Sequence, residues 1–170
     1  MSRHRSARRR AHRRPIHIEL DSECFAIWFP PADDPIEVLD LGDATGMAFD
    51  MLDTEAQREV LVLLDERRRV TALVIDPPAQ IGVLIGVAEL PGLDVPFCQT
   101  LSIVLCDEVV DGPPDERDRA GYLALRRIHM LQGLQLLDVL LVDPERVQSL
   151  AVACDPDPVW FDEFRPIDAT

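Results

Sequence analysis

One segment, Gln99 to Asp143, constrains the fold more than any other part of the chain. QTLSIVLC (residues 99–106) is a compact apolar run rich in β-branched residues, and LQLLDVLLVD (134–143) is a second one. Between them Asp115 follows Pro113-Pro114 and precedes Glu116 and Asp118. That is the signature of a helix N-cap with acids in the first turn, where the helix dipole favours them. Gly133 stands where such a helix would end, as the residue that takes a left-handed conformation. A strand, a helix and a second strand in this order form a crossover that makes the two strands parallel. The apolar positions Ala120, Leu123, Ala124, Ile128 and Leu131 are expected to face the sheet.

The remaining elements fit around that unit. REVLVLLD and RVTALVID are two apolar runs joined by a polar turn at ERRR, which predicts an antiparallel hairpin. IHIEL, CFAIWF and IEVLDL are short β-prone runs separated by PPADDP, and DATGMAFDML reads as a short helix interrupted by Gly46. AQIGVLIGVAEL (79–90) follows a double proline, and Ile81, Leu84, Ile85 and Ala88 recur at helical spacing. After the turn Asp143-Pro144-Glu145-Arg146, VQSLAVA is expected to return as a strand. The fold class is therefore α/β, a mixed β-sheet with two main helices and a short β-rich N-terminal segment. Residues 1–14 are expected to be a disordered Arg-rich arm, 15–57 the β-rich segment, 58–154 the α/β core, and 155–170 a Pro-rich acidic tail.

Composition excludes several classes. A chain of 170 residues with 47% hydrophobic residues is long enough to bury a sizeable core and too apolar to be wholly disordered. No uninterrupted apolar run reaches the length of a membrane span; the most apolar block, Leu136 to Val142, is broken by Asp138. Seven of the 17 basic residues fall in the first fourteen positions, and all 17 are Arg. The remaining 156 residues carry ten Arg against 31 acids, a net charge of −21. Such a body repels phosphate backbones, so nucleic acid is a partner only through Arg8, Arg9, Arg10, Arg13 and Arg14. Acids after the arm (Glu19, Asp21, Glu23), where an export signal has an apolar stretch, argue against a twin-arginine signal. Cys24, Cys98, Cys106 and Cys154 form no CxxC pair and no zinc-ribbon spacing. They are expected to be small buried hydrophobes in a reduced, cytoplasmic compartment.

The stretch from Arg58 to Ala153 resembles the RadC-type branch of the JAB/MPN (JAMM) metalloprotease-like fold. VLVLLDERRRVTALVID is similar to that branch's opening strand pair, and TLSIVLC to the strand leading into its His-x-His-Pro-Ser-Gly loop. DGPPDERD stands where that loop runs into the following helix, so Asp118 matches the metal-binding Asp. GLQLLDVLLVDPERVQSLA resembles the strand pair after the helix. The resemblance implies a JAB/MPN-like core, and the departures from it imply the loss of its zinc. The family's site needs two His, an Asp and a Glu that activates the metal-bound water. Here Cys106-Asp107-Glu108-Val109 replaces His-x-His, and Val139 replaces the His that follows Leu-Leu-Asp. His129 is the single histidine in that half of the chain, and it reads as a helix residue making one hydrogen bond.

These residues support three readings. The first is a non-catalytic protein-interaction scaffold with no cofactor and a protein partner, for which Trp28, Phe29, Trp160, Phe161 and Phe164 are the candidate contacts. The second is a divalent-metal-dependent hydrolase using the acidic loop 107–118. Counted from Asp107, residues Asp111, Gly112, Asp115 and Asp118 fall at positions 5, 6, 9 and 12 of a calcium-binding loop pattern, while Val109 occupies a ligand position. That reading uses Asp107, Asp111, Asp115 and Asp118, with Asp107, Asp111 and Asp118 as the candidate metal ligands. The third is a nucleic-acid-associated protein acting through the arm.

Overall fold

A computed structural model describes residues 16–20, 23–52, 59–76, 96–106, 109–155, 158 and 160. Among the described residues seven strands and three helices are formed: β1 (Ile16–Leu20), β2 (Glu23–Trp28), α1 (Leu41–Leu52), β3 (Glu59–Leu64), β4 (Val70–Ile75), β5 (Gln99–Leu105), α2 (Glu116–Leu131), β6 (Gln135–Val142), β7 (Val147–Ser149) and α3 (Leu150–Cys154). They build one mixed sheet in the order β1-β2-β4-β3-β5-β6-β7. All neighbouring strands are antiparallel except β5 and β6, which run parallel with Ile103 opposite Leu140. The α/β class, the β3–β4 hairpin and the parallel pair joined through α2 thus follow the sequence expectation. The N-terminal β-rich segment joins the same sheet, because β2 pairs with β4.

Position in the sheet explains the composition of each strand. β3 is central and buried on both faces, and its five residues after Glu59 (VLVLL) are all buried. Val60, Val62 and Leu64 share one cluster with Leu101, Ile103, Leu140 and Val142, with Ala44 and Ala48 of α1, and with Leu150 and Ala151 of α3. Leu61 and Leu63 point the other way and pack with Phe25, Ile27, Ala72 and Val74. A strand with a period of two therefore serves two cores.

Both ends of α2 are built as its sequence predicts. Asp115 Oδ1 accepts from the Arg117 and Asp118 N–H groups at 2.8 and 2.9 Å, and Asp118 Oδ2 accepts from Asp115 N–H at 3.0 Å, a reciprocal capping box. At the other end Gly133 has φ +73°, Leu134 N–H donates to His129 O and Gly133 N–H to Met130 O. These two bonds satisfy carbonyls that the helix leaves over, and the positive φ is why glycine stands there.

Four expectations are corrected. The face of α2 that meets the rest of the protein carries Tyr122, Leu125 and His129, whereas Ala120, Leu123, Ala124 and Leu131 face outward and Ile128 is half-buried. The helix has apolar residues on two faces, and a mostly aromatic and imidazole stripe outcompetes the aliphatic one at the sheet. IEVLDL is no strand; Glu37 alone bridges to Arg69, while Val38 N–H donates to Arg68 O and Val70 N–H to Ile36 O. VQSLAVA is a strand only through Ser149, whose hydroxyl accepts from Val152 N–H and starts α3. DATGMAFDML belongs to a twelve-residue helix that Gly46 does not interrupt, since this glycine lies on its exposed side. The helix expected over 79–90 lies outside the described residues.

Candidate functional site

The region between β5 and α2 is where the sequence concentrates its candidate ligands, and the fold pins it to the β6–β7 hairpin. Cys106 N–H donates to Val142 O at 2.7 Å as β5 ends. Asp143, buried at the end of β6, accepts from Val110 N–H at 2.9 Å through Oδ2 and from the Glu145 and Arg146 N–H groups at 2.8 Å through Oδ1. Those donors, the Val110 amide foremost, hold its carboxyl below the usual carboxylate range. Arg146 Nη2 and Gln148 Nε2 both donate to Gly112 O, at 3.2 and 2.8 Å. Gly112 has φ +78°, which lets the loop turn there at little cost.

Within this loop the carboxylates serve the backbone. Asp115 and Asp118 close the capping box, and the amides of Asp118 and Arg117 lower the Asp115 carboxyl below its ordinary value. Asp111 is exposed. Asp107 lies outside the described residues. His129 is buried, its Nδ1 lies 2.8 Å from Leu125 O, and burial keeps the ring neutral by lowering its pKa. Among the described residues no three His, Cys, Asp or Glu side chains come together as a metal-binding group.

Against this loop runs a groove of about 520 Å³, between Leu41 and Thr45 of α1, the Gly112–Pro114 turn, β7, and Val152 and Ala153 of α3. Its lining is mainly apolar, with Arg146 and Gln148 among its polar residues.

Beside β7 lies a polar cluster that the sequence reading did not single out. Asp138 is fully buried in β6; its Oδ1 accepts from the Val139 and Ala151 N–H groups at 2.7 and 2.9 Å. Its Oδ2 accepts from the Ser149 hydroxyl and, at 2.6 Å, from the Trp160 indole N–H. Burial raises the Asp138 carboxyl above the ordinary value despite these four donors. Tyr122 stands nearby, its phenol pushed up to about 12 mainly by burial. Arg68 completes the surroundings: its guanidinium lies 5.7 Å from the Trp160 ring centroid and donates to Leu39 O at 2.6 Å. One signal for this cluster exists in the sequence, a lone Asp inside the apolar run LLDVLLV, because a charge in a buried strand must be surrounded by donors.

The remaining candidates divide into two groups. Trp28 and Trp160 are buried and so belong to the core, while Phe29 is half-buried against the second core cluster. Phe161 and Phe164, and Arg8, Arg9, Arg10, Arg13 and Arg14, lie outside the described residues. Cys98 and Cys106 are half-buried thiols and Cys154 a buried one; burial raises Cys98 and Cys154, which suits packing and not nucleophilic attack.

Among the described residues the most exposed large apolar side chains, Leu131 and Met130, lie on α2. Leu123, Met130 and Leu131 on the outer face of α2 are 45%, 70% and 76% exposed. No helix among the described residues is long and apolar enough to cross a membrane. Compared with known proteins, the chain matches no family model, no curated protein and no solved structure.

Proposed function

We propose that this chain is a non-catalytic protein-interaction scaffold, built on a JAB/RadC-like core whose zinc-binding residues have been replaced. The observation that carries this reading is the use of the carboxylates around the β5–α2 loop. Asp118, the residue matching the family's metal-binding Asp, closes a capping box with Asp115, and Asp143 ties the loop to the β6–β7 turn. Each of these groups stabilises the backbone, which is a structural role. The antiparallel β3–β4 pair and the β5–α2–β6 unit are the segments on which the resemblance rests. An apolar face on α2 supplies a surface of the kind that partners cover.

Calorimetric titration of the purified full-length protein with Zn²⁺ and Mn²⁺ tests the reading. The expected result is no one-to-one binding and no rise in melting temperature on adding metal. Stoichiometric, tightly held zinc would overturn it in favour of the hydrolase. A protein partner should be lost on Leu131→Glu, while the Arg arm can be deleted without effect; salt-sensitive binding of nucleic acid that disappears with residues 1–14 would move the function to the arm.

A further inference from the structure

The outer face of α2 has an internal symmetry that points to its occupant. At about 100° per residue, Glu116, Ala120, Leu123, Arg127, Met130 and Leu131 fall within an arc of about 100°, opposite the buried Tyr122 and His129. All six are exposed. Glu116 and Arg127 make no ion pair among the described residues. They lie eleven residues apart along the axis, about three turns, and point in nearly the same direction.

We propose that this face is where two copies of the chain associate, with the α2 helices antiparallel about a twofold axis between Gly121 and Tyr122. The proposal rests on reading the protein as an interaction scaffold and names the partner of its exposed helix. Under that axis Glu116 meets the partner's Arg127, and Arg127 meets the partner's Glu116. The same operation sets Ala120 against the partner's Leu123 and Leu123 against the partner's Ala120, a small residue facing a large one at both crossings. Met130 and Leu131 reach the turn preceding the partner's α2, where Gly112 and Pro113 are exposed. A residue pattern that complements itself under a twofold rotation is what an isologous interface requires.

Charge favours the same occupant. The body outside the first fourteen residues has a net charge of −21, which makes most approaches of one copy to another repulsive. α2 carries four Arg against two acids, so contact through it brings together the least acidic helix surfaces. Antiparallel packing then places opposite charges together at both ends.

Sedimentation velocity on the full chain tests this, alongside Glu116→Arg, Arg127→Glu and an equimolar mixture of the two variants. The wild type should form a concentration-dependent dimer. Each charge reversal turns two symmetry-related attractions into repulsions and should weaken it by at least about tenfold. In the mixture every contact is again between opposite charges, so a one-to-one heterodimer should form, identifiable by its mass in native mass spectrometry. A wild-type far-ultraviolet circular dichroism spectrum and a single cooperative unfolding transition verify that the fold is intact; Glu116→Arg should melt a few degrees lower, because it replaces a first-turn acid with a cation. A wild type that stays monomeric at its highest soluble concentration, or a dimer that survives both reversals, would overturn the proposal. Either result leaves the zinc titration to decide the scaffold reading, since metal binding and dimerisation are read independently.

Discussion

Replacing Trp160 with Phe keeps an aromatic ring beneath Arg68 and removes one proton donor from Asp138. The indole N–H donates to Asp138 Oδ2 at 2.6 Å in a fully buried setting. Loss of a hydrogen bond to a charged group costs about 1.5–3 kcal/mol, and the space vacated by the smaller ring adds up to about 1 kcal/mol. The variant should therefore be less stable by about 2–4 kcal/mol at neutral pH, measured by urea unfolding followed by far-ultraviolet circular dichroism. The loss should also depend on pH. Because burial holds the Asp138 pKa above its unfolded value, the folded state binds the proton more tightly than the unfolded chain does. Its contribution to stability is complete below the unfolded pKa and declines as pH rises through the folded one. The indole donor opposes that decline by favouring the anion, so the Trp160→Phe penalty should be smallest in acid and grow toward neutrality. A double-mutant cycle with Asp138→Asn should show coupling of at least about 1 kcal/mol. A variant within about 0.5 kcal/mol of wild type at pH 7, or a penalty that does not change with pH, would refute the account of Asp138.

Other consequences are equally direct. Arg68 adopts φ +59° at the β3–β4 turn, so Arg68→Gly should relieve roughly 1 kcal/mol of backbone strain yet lose the bond to Leu39 O and the contact with Trp160. A net destabilisation of about 1–2 kcal/mol in urea unfolding is expected, and a stabilised variant would show that the guanidinium contributes nothing there. Asp115→Ala removes the N-cap of α2 and should cost about 1 kcal/mol, seen as a melting temperature lower by about 2–4 °C. Asp143 behaves oppositely to Asp138: its lowered pKa gives stability that is present above about pH 4 and lost as pH falls through the folded value. Asp143→Asn should be less stable than wild type at neutral pH, with the difference shrinking on acidification; a constant difference would count against the three-donor arrangement.

How much of this was legible depended on how local each cause is. The N-cap Asp115, the first-turn acids and the C-terminal Gly133 act within a few residues of themselves, so a reading of the chain places α2 to within a residue or two. The orientation of α2 is a different matter. Its sequence offers two stripes, Ala120-Leu123-Ala124-Leu131 and Tyr122-Leu125-His129, and periodicity assigns a face without saying which one meets the sheet. The burial of Trp160 was hidden for a related reason: it is far along the chain from Arg68 and Asp138, and only folding brings them together.

The amino-acid order by itself determined the strand–helix–strand unit, its parallel pair and the β3–β4 hairpin, because apolar runs, caps and turn residues act over short distances. Tertiary structure alone decided which carboxylates serve the backbone, where the buried charge of Asp138 finds its donors, and which side of α2 is left exposed. Those outcomes depend on burial and on contacts between residues distant in sequence, and both are properties of the assembled sheet.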